Sequence, residues 1–170
     1  MALADSKEIV MISLEFFKNV EIFQGLNNEQ LAEIIKSGQE EAFQHETRLF
    51  EKGENAAYLW IVREGRVDLR FDFPGLASSE KNTISSVSKA GAFGWSSIVP
   101  PHKYRLSGYS TGSGCKLIKF ERESLLKLFE KDPNIGYMVM SNIAALVGAR
   151  FHNLQEEAAS RRGQVIMGGW

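Results

Sequence analysis

Apolar residues recur at two different periods along this chain, and the changes of period divide it into parts. Ile9, Ile12, Leu14, Phe16 and Phe17 form a stripe at helical spacing. Val20, Ile22 and Phe23 carry that stripe into a turn at Gln24-Gly25. Asn27 or Asn28 then caps a short helix bearing Leu31, Ile34 and Ile35, which stops near Gly38. The period next falls to two. Val67, Leu69, Phe71 and Phe73 alternate with Arg66, Asp68, Arg70 and Asp72, which predicts a half-buried strand with one charged face. The apolar run at 57–62 precedes it, and Arg63-Glu64-Gly65 between the two predicts a hairpin. Further strands are expected at 41–49, 83–87, 106–111 and 116–120. Turn residues separate them at Lys52-Gly53-Glu54, Pro74-Gly75, Ala90-Gly91, Pro100-Pro101 and Gly112-Ser113-Gly114. Strands this short and regular predict a mainly β fold, a sandwich or a rolled barrel, rather than an α/β fold. Pro74 to Lys81 reads as a flexible tip joining two strands.

Helical spacing returns after Phe120. Leu125, Leu126, Leu128 and Phe129 line a short helix that Asp132-Pro133 ends. A longer one follows, with Ile135, Met138, Val139, Ile143, Leu146, Val147, Arg150 and Leu154 at three- and four-residue steps. About six turns, roughly 35 Å, are expected. That stripe is more than a domain of this size is expected to cover, so the predicted cover is the same helix of a second copy, through residues 133–154. Folding back onto its own barrel is the alternative. The expected boundaries are 1–132 for the helices and barrel, 133–158 for the long helix and 159–170 for a disordered tail.

Composition removes several classes. The 170 residues are 44% hydrophobic and 24% charged, which is ordinary for one soluble domain. No apolar run approaches the roughly 18–20 residues of a membrane span, and the first residues lack a signal-peptide pattern. A cytoplasmic location is the expectation. Twenty basic against twenty-one acidic residues leave a net charge of −1, so no global field favours nucleic acid. One cysteine, Cys115, excludes an internal disulfide framework. The three histidines, His45, His102 and His152, are spread far apart, so no metal site is expected, and no P-loop or nucleophile elbow appears. No cofactor and no enzymatic activity are predicted.

Two glycine-punctuated segments carry a resemblance. The stretch Phe50-Glu-Lys-Gly-Glu-Asn-Ala-Ala-Tyr-Leu-Trp-Ile-Val-Arg-Glu-Gly-Arg-Val resembles the first signature of the cyclic nucleotide-binding domain, the sensor half of the catabolite activator protein (Crp/Fnr) family. Gly91-Ala-Phe-Gly-Trp-Ser-Ser, followed by Arg105, resembles its second signature, the phosphate-binding cassette. The resemblance runs from about Phe16 to Leu154. It implies a double-stranded β-helix (jelly-roll) barrel, flanking helices and a long C-terminal dimerisation helix. It also implies a sensor of cAMP or another small anionic molecule.

Burying a phosphodiester requires fixed donors. A turn such as Phe93-Gly94-Trp95-Ser96-Ser97 aims backbone N–H groups at one point, where an anion can sit. Gly94 allows close backbone approach, and Ser96 and Ser97 can add hydroxyl donors. Arg105 stands at the position of the family's phosphate-binding arginine, with a planar fork suited to two oxygens. His102 and Lys103 can widen a positive mouth. Two positions depart from the family pattern. Trp95 replaces the glutamate that accepts from the ribose 2′-hydroxyl, and an indole only donates. Leu106 replaces a small or hydroxyl-bearing residue. Either Trp95 closes the pocket, leaving a ligandless interaction module, or it offers an aromatic face to a different anionic ligand held by Arg105, Ser96 and Ser97. A haem sensor, known among relatives, would need an axial His or Cys; the three histidines and Cys115 read as ordinary surface or core residues.

The chain is also too short after Pro133 for the several helices of a helix-turn-helix domain, so no direct DNA binding is expected. Either the protein is a stand-alone sensor, or the sequence is a piece ending after its long helix.

Overall fold

Asn27 opens the first complete helix. Its side chain accepts the Gln30 N–H at 2.9 Å while Gln30 Oε1 accepts the Asn27 N–H at 3.1 Å, a reciprocal cap that satisfies two otherwise orphaned donors. The computed structural model describes residues 14–167, and side chains as far as 163. Helix α1 is seen at 14–18, a 3₁₀ turn follows at Glu21–Phe23, and α2 spans Asn28–Lys36. Ile9 and Ile12 of the expected first stripe lie outside the described residues. Six strands come next: β1 Gly38–Phe43, β2 Arg48–Phe50, β3 Tyr58–Arg70, β4 Thr83–Ser88, β5 Ala92–Phe93 and β6 Ser107–Glu121. They pair antiparallel in the order β1-β6-β3-β4, with β2 added to β6 and β5 to β3. Helices α3 (Arg122–Lys131) and α4 (Pro133–Met167) close the chain. The fold is the mainly β barrel with flanking helices and a long C-terminal helix that the alternation and the two signatures imply.

The predicted hairpin at Arg63-Glu64-Gly65 is absent. β3 runs straight through it, and β6 runs through Gly112-Ser113-Gly114, the two strands pairing from Tyr58↔Glu121 to Arg70↔Ser107. The turn residues make a bend instead. Gly65 has φ +81°, and a Cβ there would lie 2.4 Å from the Gly114 carbonyl oxygen, so the two strands touch backbone to backbone. The alternation on either side of the bend is real, but one long bent ribbon produces it as well as two short strands do.

The bent ribbon serves two cores. Leu59, Ile61, Ile118 and Phe120 face the helices and pack with Phe17, Phe23, Leu31 and Leu125. Trp60, Val62, Val67 and Leu117 face the barrel interior with Phe50, Phe93 and Tyr104. The expected charged face of β3 is likewise corrected: Asp68 and Arg70 are both buried, Arg70 completely. Glu46, on the turn before β2, folds over Arg70 and takes it bidentately at 2.8 and 2.9 Å.

Helix α4 does what the alternative reading allowed over its first half. Ile135, Val139 and Ile143 are buried against the chain's own helical core rather than left for a partner. Asn142 Nδ2 adds donors to the carbonyls of Ile22 and Gln24 at 3.1 and 2.9 Å. The segment from 159, expected to be disordered, continues α4 to Met167. An ion pair one turn apart, Arg161 with Glu157, supports helix there despite its exposure.

Candidate functional site

β5 delivers the chain to Gly94, which adopts φ +73°. A Cβ at that position would stand 2.8 Å from Trp60 Cδ1 and 2.9 Å from the Tyr58 carbonyl oxygen, so glycine is required for conformation and for space. The chain then turns through Trp95–Ser97 as a 3₁₀ helix, with Ser97 N–H donating to Gly94 O at 2.9 Å and Ile98 N–H to Trp95 O at 3.1 Å. Ser96 and Ser97 are buried beneath it, and the Ser97 hydroxyl has no hydrogen-bond partner. The Ser97 carbonyl oxygen lies 3.0 Å from His102 Nδ1, while Lys103 donates to Gly53 O at 3.3 Å.

Arg105 and Leu106 follow on the approach to β6 and diverge. Arg105 is exposed and makes no hydrogen bond or ion pair among the described residues. Leu106 is half-buried against the barrel core, and Trp95 is half-buried against the helical core. Where the two cores part, a cavity of about 380 Å³ opens. Leu69, Trp95 and Leu106 form its barrel side, and Val147, Arg150 and Leu154 of α4 face them. Of the candidate residues, Trp95 and Leu106 thus meet in one wall; Gly94, Ser96, Ser97 and Arg105 do not line it.

Arg150 lines the same cavity, and the sequence reading named it only as a member of the α4 stripe. Its Nη2 donates to Ala92 O at 2.8 Å, and Glu21 Oε1 accepts the Ala92 N–H at 2.7 Å while lying 3.9 Å from Arg150. Ala92, the residue leading into the cassette, is therefore held through both of its flanking peptide groups, by the N-terminal turn at its N–H and by α4 at its carbonyl. Burial pushes the Arg150 guanidinium pKa down, and the Glu21 carboxylate opposes that shift. A signal existed: a charged residue stood at a position of an otherwise apolar stripe.

Other chemistry is sparse. Among the described residues, no group of three His, Cys, Asp or Glu is placed to hold a metal ion. Cys115 is buried in the barrel core, and desolvation pushes its thiol up to about 11. No helix among the described residues is long and apolar enough to cross a membrane.

A family model, that of the cyclic nucleotide-binding domain, matches residues 40–132, more than half of the chain. The chain belongs to the cyclic nucleotide-binding domain family. Among curated proteins, this cyclic nucleotide-binding domain is 22% identical over 126 residues to potassium channel AKT3 of Oryza sativa subsp. japonica. The match takes in 74% of this chain and 14% of the channel, so the chain spans a small fraction of that relative's length. Among solved structures, it is similar to a putative cyclic nucleotide-binding protein of Geobacter metallireducens, at 29% identity and a TM-score of 0.70. That match covers 84% of this chain and all of the other. The catabolite activator protein of Thermus thermophilus superposes with a TM-score of 0.68 at 22% identity, over 84% of this chain and 63% of that one. At that identity the likeness is one of fold.

Proposed function

We propose that this chain is a non-enzymatic regulatory domain, working as a cytoplasmic homodimer, that binds a small anionic, nucleotide-like ligand at a modified phosphate-binding cassette and signals through α4. The cavity between Trp95, Leu106 and the α4 residues carries the reading, because an occupant there touches sensor and output helix together. The Arg150–Ala92–Glu21 clasp supplies the mechanical link. A cassette that shifts on binding pulls Ala92, and Ala92 pulls α4. Arg105, exposed and unpaired among the described residues, is free to swing onto an acid group at Ser96 and Ser97. Tyr137, Met140 and Ala144 recur at three- and four-residue steps on an exposed face of α4, away from the buried stripe, and belong to the dimer seam within residues 133–154.

The test is a thermal-shift panel of cyclic mono- and dinucleotides, with Arg105→Ala as control and amide exchange read across 133–154. A stabilising nucleotide whose effect disappears in the variant and whose binding alters exchange in α4 is the expected outcome. A nucleotide that binds without altering α4 exchange overturns the signalling step.

A second reading, a ligandless protein-interaction module, is favoured by one observation: Trp95 occupies the place of the family's ribose-binding carboxylate while the cassette hydroxyl of Ser97 is buried. Silence across the whole panel, with an intact fold, favours it.

A further inference from the structure

We infer that the natural occupant of the cavity is an amphipathic organic acid, an apolar or aromatic body bearing one anionic group, whose acid is taken by Arg150 of α4 rather than by the cassette. This rests on the sensor reading for its output through α4, and replaces the nucleotide-like ligand and cassette anchor of that reading. A nucleoside needs partners for its base edges and ribose hydroxyls, because a buried polar group without a hydrogen bond is destabilising. The neutral polar side chains of the cavity are Ser85 and Asn153, and the rest of its lining, Arg150 and Glu157 apart, is apolar. Leu69, Ile84, Trp95, Leu106, Val147 and Leu154 present hydrocarbon and an indole ring, and its volume of about 380 Å³ lies in the range of small-molecule sites. Ile84 and Leu154 remain 49% and 46% exposed at its edge, and Phe151 beside them 60%, so apolar surface is left for a ligand to cover.

The charge in the lining fixes the rest. Arg150 is the cation of that lining. Only its Nη2 makes a hydrogen bond among the described residues, leaving Nη1 and Nε as donors. Its nearest carboxylate, Glu21, is 3.9 Å away and is committed to the Ala92 N–H. A partly desolvated guanidinium with a distant counter-ion favours an incoming carboxylate or acid ester. Glu157 also lines the cavity but is paired with Arg161 one turn further on, so Arg150 is the cation that fixes where an acid group sits. Because the same guanidinium holds Ala92 O, an acid bound to it acts directly on the clasp.

Isothermal titration of the intact chain with decanoate, 1-naphthoate, decan-1-ol and cAMP tests this. Both acids are expected to bind, the alcohol ten- to a hundredfold more weakly than decanoate, and cAMP more weakly than either acid. Arg150→Gln should bring decanoate down to the level of the alcohol. Leu154→Glu, a half-exposed position that does not threaten folding, should weaken decanoate at least tenfold by placing a second carboxylate at the mouth. Binding of cAMP in an Arg105-dependent way, without binding of either acid, overturns this inference and leaves the sensor reading standing. No binding of any probe overturns this inference, and the cyclic nucleotide panel then decides the sensor reading separately. If in addition Leu154→Glu dissociates a dimer, the groove belongs to the helix of a second copy. Equal binding of decanoate by wild type and both variants removes the cavity as the site.

Discussion

Replacing Glu46 with alanine strips the counter-ion from a guanidinium that water does not reach. Arg70 is fully buried, stacked 4.5 Å from the Tyr109 ring, and joined to Glu46 by two hydrogen bonds of 2.8 and 2.9 Å. Breaking a fully buried pair by removing one member destabilises by about 3–5 kcal/mol. Two features reduce that figure here. The Glu46 side chain is 39% exposed, so solvent can enter where it leaves, and Asp68 Oδ2 remains 3.9 Å from Arg70 as a weak substitute. The expected loss is about 2–3 kcal/mol, or a fall in Tm of roughly 5–10 °C for a chain of this length. Urea unfolding at pH 7 followed by tryptophan fluorescence measures it. A double variant, Glu46→Ala with Arg70→Met, should recover at least half of the loss, because the buried charge then goes with its partner.

The pH dependence follows from the same pair. Hydrogen bonding to Arg70 holds the Glu46 carboxyl below its usual value. A depressed carboxylate contributes stability that is complete above its unfolded pKa of about 4.3 and is lost as pH falls through the lower folded value. Glu46→Ala should therefore flatten the acid limb of the stability curve and leave the neutral region parallel to wild type. A change under about 0.5 kcal/mol at pH 7, with an unaltered acid limb, would show that the pair is bookkeeping of geometry rather than of energy.

Four further outcomes are expected. Gly53→Ala, at φ +92° with nothing within 4 Å, should destabilise by the roughly 1–2 kcal/mol of backbone strain alone; Gly65→Ala adds a clash with Gly114 O and should unfold at distinctly lower urea. Asn142→Ala removes two hydrogen bonds to the N-terminal turn and should lower stability by about 1–2 kcal/mol while raising amide exchange over the first turns of α4. Cys115, buried and with its thiol raised to about 11, should react with a disulfide reagent at pH 8 only as fast as the chain opens, and at full rate in urea. Trp95→Glu restores an acceptor facing the ribose and should strengthen cAMP binding about ten- to a hundredfold by calorimetry; an unchanged affinity would place the ribose elsewhere.

Local chemistry predicted local structure well. Asn27, one of the two caps offered, opens α2, Asp132-Pro133 separates α3 from α4, and the signature glycines at 53, 65 and 94 all adopt positive φ, Gly65 in a bend rather than a turn. What escaped depended on partners distant in sequence. Period-two alternation assigns Arg70 to a solvent face, but the turn carrying Glu46 folds over that face, and no local pattern announces it. The same holds for the continuity of β3, since a strand that bends at Gly65 and two strands that reverse there carry the same residues. At the site, Trp95 and Leu106 were visible as departures from a family pattern. The opposite wall was not, because α4 meets the cassette only once the barrel between them has folded.

The length of α4 has a mechanical consequence. Its buried contacts end near Ile143 and its grip on the barrel near Arg150, yet the helix continues to Met167, about 25 Å further. A rigid rod pivoting at one end converts angle into travel, so a tilt of about 10° at Arg150, an adjustment of about 1 Å at the guanidinium, displaces the far tip by roughly 4 Å. A tether on Ala92 that gains or loses one hydrogen bond would thus be felt as an ångström-scale stroke wherever the tip of the rod is attached.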